Sequence, residues 1–424
     1  MTDPRELLVG SFRAALAAAD PLAIVPAHLP APPAGRTLVV GAGKAAAAMA
    51  AAVESAWPAR ASLEGLVITR YGHGVPTKRI RVVEAGHPVP DEAGEDAAKE
   101  ILARASVLGG DDLLLVLVSG GGSSLLSLPV DGIAMADLKA VTRDLLASGA
   151  PIQDMNTVRK HVSAIQGGRL ALATRAQVLA LVISDVTGDD PTHIASGPCS
   201  PDPTTYRDAI DILSRFDVTA PASISSHLAR GAAGAIPETP KPGDQRFTRV
   251  ETRVIATAHA SLTMAAAYMQ QRGIAPLVLG DSVTGESSEV AKVYAALARQ
   301  VRRHAHPMKP PVALISGGET TVTLRGKGRG GRCTEFLLSL AVSLEGLAHT
   351  WALACDTDGI DGSEDNAGAI LTPDALERAL SLGLAPRAML AGNDGYGFFS
   401  ALGDLVVTGP TRTNVNDYRV ILVR

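Results

Sequence analysis

The sequence predicts an α/β protein of two α/β domains, and three observations carry that expectation. The chain has 424 residues, more than one ordinary hydrophobic core accommodates. Short Val-, Ile- and Leu-rich runs, apolar on successive residues, alternate with longer helix-like segments almost throughout. That is the pattern of strands buried on both faces and joined by crossover helices, hence of a mainly parallel sheet. A stretch rich in Gly and Pro, 227–250, interrupts the alternation once. The division is expected there, as domains 1–240 and 241–424, with the last strands able to rejoin the first domain.

The elements follow in order. Leu7, Leu8, Phe12 and Leu16 are spaced for an amphipathic helix, and the acids among them argue against a secretory leader. Strands are expected at 36–43, 65–70, 80–86, 111–121 and 176–185, and helices at Asp91–Leu108, Ala134–Leu146 and Thr157–Ala173. After the interruption, strands are expected at 253–260, 275–282, 311–320, 350–359, 404–410 and 418–424. "LLVLVSGGGSS" and "VALISGGETT" repeat one order, a strand and then Ser-Gly-Gly, which puts glycine loops at strand ends in both halves. Open α/β sheets bind ligands at such ends.

A formal net charge of −4 and 3% aromatic residues argue against nucleic-acid and anionic-membrane partners. No uncharged apolar run reaches the roughly 18 residues of a membrane span. Cys199, Cys333 and Cys355 form no metal or disulfide spacing, so a reducing cytoplasm is expected.

Several motifs could carry chemistry. "VVGAGKAA" (39–46) has the strand, G-x-G-x-x-A and helix start of a dinucleotide site, with Gly41 and Gly43 at the turn. The second expected strand ends in Thr69-Arg70 rather than an acid, which weakens that reading and leaves NADP open. Lys44 is foreign to that fingerprint, and G-x-x-x-x-G-K-[ST] is absent. Ser119, Gly120, Gly121, Gly122 and Ser123 form a loop whose amides could cradle phosphate or carboxylate; a tight turn is the alternative. Asp185, Asp189 and Asp190 crowd one strand end, as a Mg²⁺ site or a solvated helix start would. His193 follows as a polar contact. The run Arg325–Arg332 sets four cations, Arg329 and Arg332 among them, between four glycines, as an anion site or an exposed basic hairpin. Asp356, Asp358 and Asp361 resemble a calcium loop but lack its glycine at position six and glutamate at twelve, leaving metal or polyol binding open. Basic donors together with paired acid clusters suit phosphoryl transfer better than hydride transfer.

These segments, with "AGHPVPDEAG", "MNTVRKHVSAIQGGRLA", "ISDVTGDDPTHIASGP", "GRGGRCTEFLL", "DTDGIDGSEDNAGA" and "TGPTRTNVNDYRVIL", resemble in order the glycerate 2-kinases that end in a MOFRL domain. The resemblance implies ATP- and Mg²⁺-dependent phosphorylation of D-glycerate at its 2-hydroxyl, in a cleft between a Rossmann-like domain and a smaller MOFRL-type domain. Lys44, Arg332 and Asp189 are then the expected catalytic groups. Gly41, Gly43, Ser119–Ser123, Gly317, Gly318, Glu319, Arg329 and Asn414 would hold the nucleotide. Ser123, Arg159, Lys160 and His193, with Lys44 and Arg332, would hold the substrate, and Asp185, Asp189 and Asp358 the metal. The expected assembly is a monomer or homodimer. Members are also labelled hydroxypyruvate reductase, so an NAD(P)H-dependent reductase is the alternative, and a phospho-ligand sensor a third. The chain departs from the family at Ser124, Gln166, Cys333-Thr334 and Gly395.

Overall fold

A computed structural model describes residues 3–424. The chain forms two compact units, residues 21–255 and residues 1–20 with 256–424.

The first unit is built on a six-stranded sheet. Its strands are β1 (Thr37–Ala42), β2 (Glu64–Arg70), β3 (Ile80–Ala85), β4 (Leu113–Val118), β5 (Gln177–Ile183) and β6 (Val250–Ala256). Their order is β3-β2-β1-β4-β5-β6, and the pairs from β3 through β5 are parallel. Every residue of β1 and β4 is buried, which is why these runs show no polar alternation. Leu38, Val40, Leu114, Val116 and Val118 share one core with Ala97, Ala98 and Ile101 of the helix Glu92–Ser106. Asp91 caps that helix by accepting from the Gly94 amide.

Two expectations are corrected here. The expected helix Thr157–Ala173 is broken: one helix ends at His161, Gly167 and Gly168 take φ of +59° and +81°, and a single turn, Arg169–Leu172, follows. The break lets the Gly167 and Gly168 amides donate to the Ser196 and Gly197 carbonyls. The expected division at 240 and 241 falls inside the first unit. The Asp202 amide donates to the Pro240 carbonyl, and the 3-10 turn Gln245–Arg249 leads into β6, which lies beside β5.

The second unit carries a mixed six-stranded sheet. Its strands are β7 (Ala275–Gly280), β8 (Val312–Gly318), β9 (Thr350–Asp356), β10 (Gly368–Leu371), β11 (Leu405–Val406) and β12 (Asp417–Val423), in the order β11-β10-β9-β12-β8-β7. Strand β12 runs antiparallel between β8 and β9, so the last strand does not rejoin the first sheet. Strand β10, four residues after an acidic loop, has no counterpart among the expected strands.

Alternate residues of β8, β9 and β12 enter different cores. Val312, Leu314, Ala352, Ala354, Ile421 and Val423 face Phe336 and Leu340 of the helix Arg332–Leu344. Ala313, Ile315, Leu353, Cys355, Val420 and Leu422 face Leu7, Leu8 and Phe12 of the helix Pro4–Ala17. The N-terminal amphipathic helix thus covers the second sheet, and Tyr418 Oη lies 2.9 Å from Ser11 Oγ. Among the described residues no single helix is long and apolar enough to cross a membrane.

A Cβ on Gly41 would run into the backbone of Leu117 on the neighbouring strand. Gly41→Ala is therefore expected to cost about 1–3 kcal/mol of unfolding free energy by forcing β1 from β4, measured as a lowered urea midpoint. An unchanged midpoint would show that the strands separate freely.

Candidate active site

The turn after β1 and the loop after β4 are bonded to each other. The Gly43 amide donates to Ile68 O at 3.1 Å, Lys44 to Gly120 O at 2.8 Å, Ala45 to Ser119 Oγ at 3.0 Å and Ala46 to Gly43 O at 3.1 Å. All four successive amides of the G-x-G turn are engaged by the protein itself. A Cβ on Gly43 would collide with Ser119. Gly41, Gly43 and Ser119, expected to hold a cofactor, instead lock two strand ends together, and Ser119 is wholly buried. The Gly120 carbonyl is turned inward by the same contact.

Lys44, Gly121 and Ser123 remain partly exposed beside this lock. Gly121 takes φ +81°. A Cβ there would lie 2.8 Å from His87 Nε2 and 3.5 Å from Lys44 Cγ, so the lysine stem and the His87 ring flank one glycine. His87 belongs to "AGHPVPDEAG", one of the segments that resemble the family. The Gly122 side of the loop packs on Ala195.

Ser123 Oγ lies 2.9 Å from Ser196 Oγ. Gln166, a departure from the family pattern, donates through Nε2 to the Ser123 and Leu126 carbonyls at 2.9 and 3.1 Å, fastening the loop from below. Ser124, another departure, donates to the Gly121 carbonyl at 3.1 Å.

Arg159, in the helix Ile152–His161, donates to Asn156 Oδ1 at 3.1 Å, and Asn156 Nδ2 donates to the His193 carbonyl at 3.4 Å. Burial lowers the Arg159 pKa to about 10, and no carboxylate stands beside the guanidinium to offset that loss. A desolvated cation without a counter-charge is a receptor for an anion. His193 is held below its ordinary pKa by burial and then by the Lys160 charge, so its imidazole is neutral near pH 7. Its Nδ1 is buried without a hydrogen-bond partner.

Lys160 is a correction. It was expected to touch substrate, but it is wholly buried, with Nζ 2.6 Å from Asp202 Oδ1. Asp202 also accepts from the Thr204 amide and hydroxyl at 3.1 and 2.7 Å. His161 and Glu238 complete the cluster, 3.5 Å apart at Nε2 and Oε2. Helical periodicity explains the error: neighbouring residues lie about 100° apart, so Arg159 and Lys160 face different surroundings.

Asp185 and Asp189 are partly exposed on the turn closed by the Asp189 amide and the Val186 carbonyl, at 3.0 Å. Asp190 accepts from the Thr192 amide at 2.8 Å and caps the next turn. Two carboxylates at a strand end fit a Mg²⁺ whose other ligands are phosphate and water. Among the described residues no group of three or more His, Cys, Asp or Glu side chains is arranged as a complete metal cage.

In the second unit, the ends of β8, β9 and β12 gather carboxylates around Arg332 at the start of its helix. Arg332 Nη2 lies 2.9 Å from Asp356 Oδ2 and 3.0 Å from Asp417 Oδ1, and Nη1 pairs with Glu319. Burial alone would lower its pKa; the charges of Asp417, Asp356 and Glu319 more than offset that and raise it. Asp417 is also 2.5 Å from Arg419 Nη2. Arg419 was missed because it sits in a strand that reads as core, and Asp417 because it was placed at the end of a polar loop rather than at the start of β12.

Asp358, expected to hold metal, is 1% exposed, and its Oδ1 accepts from the Ile360 amide at 2.9 Å. Asp361 caps the Arg332 helix, accepting from the Cys333 and Thr334 amides at 2.9 and 2.8 Å. Gly317 and Gly318 are paired strand residues, and Gly318 is required by the backbone of Val283. Asn414 Oδ1 accepts from the Asn416 amide at 3.3 Å. Arg329 is exposed above the Tyr396 ring, 4.7 Å from its centroid. The loop glycines Gly326 and Gly328 fit against Gly392 and Asn393, so their missing side chains serve the protein's own packing. A Cβ on Gly395 would lie 2.9 Å from the Thr334 Cβ; two departures from the family pattern therefore meet.

A lysine-bearing turn and a glycine loop thus stand at the strand ends of a parallel α/β sheet, where enzymes of small molecules bind their ligands. Comparison with known proteins specifies the family. Residues 7–229 match a domain of unknown function, DUF4147, and residues 312–417 match the MOFRL family. A putative hydroxypyruvate reductase of Agrobacterium vitis is 52% identical over 99% of this chain and 94% of its own length. A glycerate 2-kinase of Pyrococcus horikoshii is 38% identical over 92% of this chain and 88% of its own. The crystal structure of a glycerate kinase from Thermotoga maritima superposes with a TM-score of 0.88, at 35% identity, over 99% of both chains. The chain belongs to the glycerate 2-kinase family with a C-terminal MOFRL domain.

Replacing Lys160 alone strands the Asp202 charge in the core. Lys160→Met is expected to cost about 3–5 kcal/mol, and the double variant with Asp202→Leu to recover at least half of it. Urea titration of both variants decides the matter. A single-variant cost below about 1 kcal/mol would mean that the pair is not buried as described.

Proposed function

We propose that this protein is an ATP- and Mg²⁺-dependent glycerate 2-kinase, transferring the γ-phosphoryl group to the 2-hydroxyl of D-glycerate. The single observation that carries the reading is Arg159, a half-buried guanidinium with no carboxylate partner among the described residues, which donates to Asn156 Oδ1, while Asn156 Nδ2 donates to the His193 carbonyl. It supplies the receptor for the carboxylate of a short hydroxy acid. Neutral His193 and the paired Ser123 and Ser196 hydroxyls offer acceptors and donors for the substrate hydroxyls.

Fixing the carboxylate aims the 2-hydroxyl, whose oxygen forms the new bond to phosphorus as the bond to ADP breaks and the hydroxyl proton leaves. Lys44, beside the Gly121 loop, stabilises charge on the transferring group. Asp185 and Asp189 would hold Mg²⁺, which neutralises polyphosphate charge when bound. The unpaired, buried thiols suit a reducing cytoplasm.

The reductase reading has support in the name of the Agrobacterium vitis relative. Against it stand the engaged amides of residues 43–46, which a dinucleotide pyrophosphate would need.

Purified protein with ATP, Mg²⁺ and D-glycerate should yield a product consumed directly by enolase. Product that requires phosphoglycerate mutase first, or NADPH oxidation with hydroxypyruvate in the absence of ATP, would overturn the assignment. Lys44→Ala is expected to lower kcat by roughly 10³-fold with the fold intact. Arg159→Gln should raise the KM for D-glycerate by about 10- to 100-fold, the loss of one charged hydrogen-bonding partner; an unchanged KM would remove Arg159 from the substrate site.

A further inference from the structure

The second unit contains a cavity of about 440 Å³ between the helices Ser287–His304, Arg332–Leu344 and Pro386–Ala391. Its charges fall into satisfied and unsatisfied groups. Lys292 pairs with Glu289 at 2.7 Å, and Arg387 with Glu345 at 3.8 Å. Glu286 accepts from the Thr323 amide at 2.9 Å and its hydroxyl at 3.0 Å. Those are neutral donors, so the Glu286 charge still acts on its neighbours. Among the described residues, Glu335 and Arg325 are the charged side chains with no ion-pair partner that face the remaining space.

Glu335 is only 5% exposed. One of its oxygens accepts from Asn393 Nδ2 at 3.3 Å, and the carboxyl lines the cavity. Arg325 is exposed on the rim and is near enough to act on the Glu335 charge. Val342, Leu390 and Ala391 add an apolar wall. An occupant suited to this cavity carries one ammonium group, one carboxylate and a modest apolar body.

We infer that the cavity is a binding site for a free α-amino acid, with the ammonium on Glu335 and the carboxylate on Arg325. The site is tied to the rest of the unit through Asn393, which is 7% exposed. Its Oδ1 accepts from the Arg325 and Gly326 amides at 2.7 and 3.1 Å, and its Nδ2 donates to the Thr323 carbonyl at 3.3 Å. The amide that contacts Glu335 therefore also fixes the loop leading to Arg332. An occupant at Glu335 reaches that loop through one side chain.

Burial, with the charges of Glu286 and Asp361, pushes the Glu335 carboxyl up to about 7 against the Asn393 hydrogen bond and the Arg325 charge. The ammonium needs the ionised form, so affinity rises as pH passes upward through that value. Glycine, L-serine and L-leucine are the probes, titrated calorimetrically to ~10 mM into the nucleotide-free full chain at pH 5.5 and 7.5. Heat from at least one of them is expected, at least about tenfold tighter at pH 7.5. Affinity should fall about tenfold or more in Glu335→Gln and in Arg325→Ala. Arg325 lies on the surface, so its variant stays informative should Glu335→Gln unfold. Silence from all three probes overturns the inference, as does affinity unmoved by either substitution, or glycolate or ethylammonium binding as tightly. The titration contains neither ATP nor glycerate, so its failure leaves the kinase reading untouched.

Discussion

The first unit depends on how closely β1 and β4 approach at their C-terminal ends. Parallel neighbours normally diverge into separate loops there, leaving amides for a ligand. Here Gly41 and Gly43 lack the Cβ atoms that would hold the backbones apart, and Ser119 fills the gap as an acceptor. The turn is thereby closed from within, and Lys44, Gly121 and Ser123 are what it leaves partly exposed. One steric fact therefore takes the amides of this turn away from any ligand, although its local sequence has the look of a dinucleotide site.

A second constraint is how buried charge is matched. Lys160 with Asp202 is a complete pair in the core, and Arg332 sits among three carboxylates. Arg159 alone among these cations has no acidic neighbour. Uncompensated desolvation destabilises the empty protein, and an arriving anion relieves it.

The fold was largely legible in the sequence, because strands buried on both faces leave continuous apolar runs that few other environments produce. Strand β10 escaped since "GAIL" is too short to show a period. The expected helix through Gly167 failed because tertiary contacts with Ser196 and Gly197 outweigh a helical pattern. Site residues were less legible. Arg159 and Lys160 stood side by side in one motif, and only the structure shows that Lys160 is on the helical face that meets Asp202 while Arg159 stays half-buried. The glycines misled in a consistent way: Gly43, Gly318 and Gly328 admit the protein's own backbone and side chains, and a sequence does not distinguish that from room for a ligand.

The helix Pro4–Ala17 packs on β9 and β12, whose residues are made only after the whole of 21–255. During synthesis the first unit is complete and able to fold while Leu7, Leu8 and Phe12 still lack their sheet. For that interval an apolar helix face waits on a finished neighbour. Closing so distant a contact is slow compared with local folding, which makes the second unit the last to mature and the one most exposed to premature association.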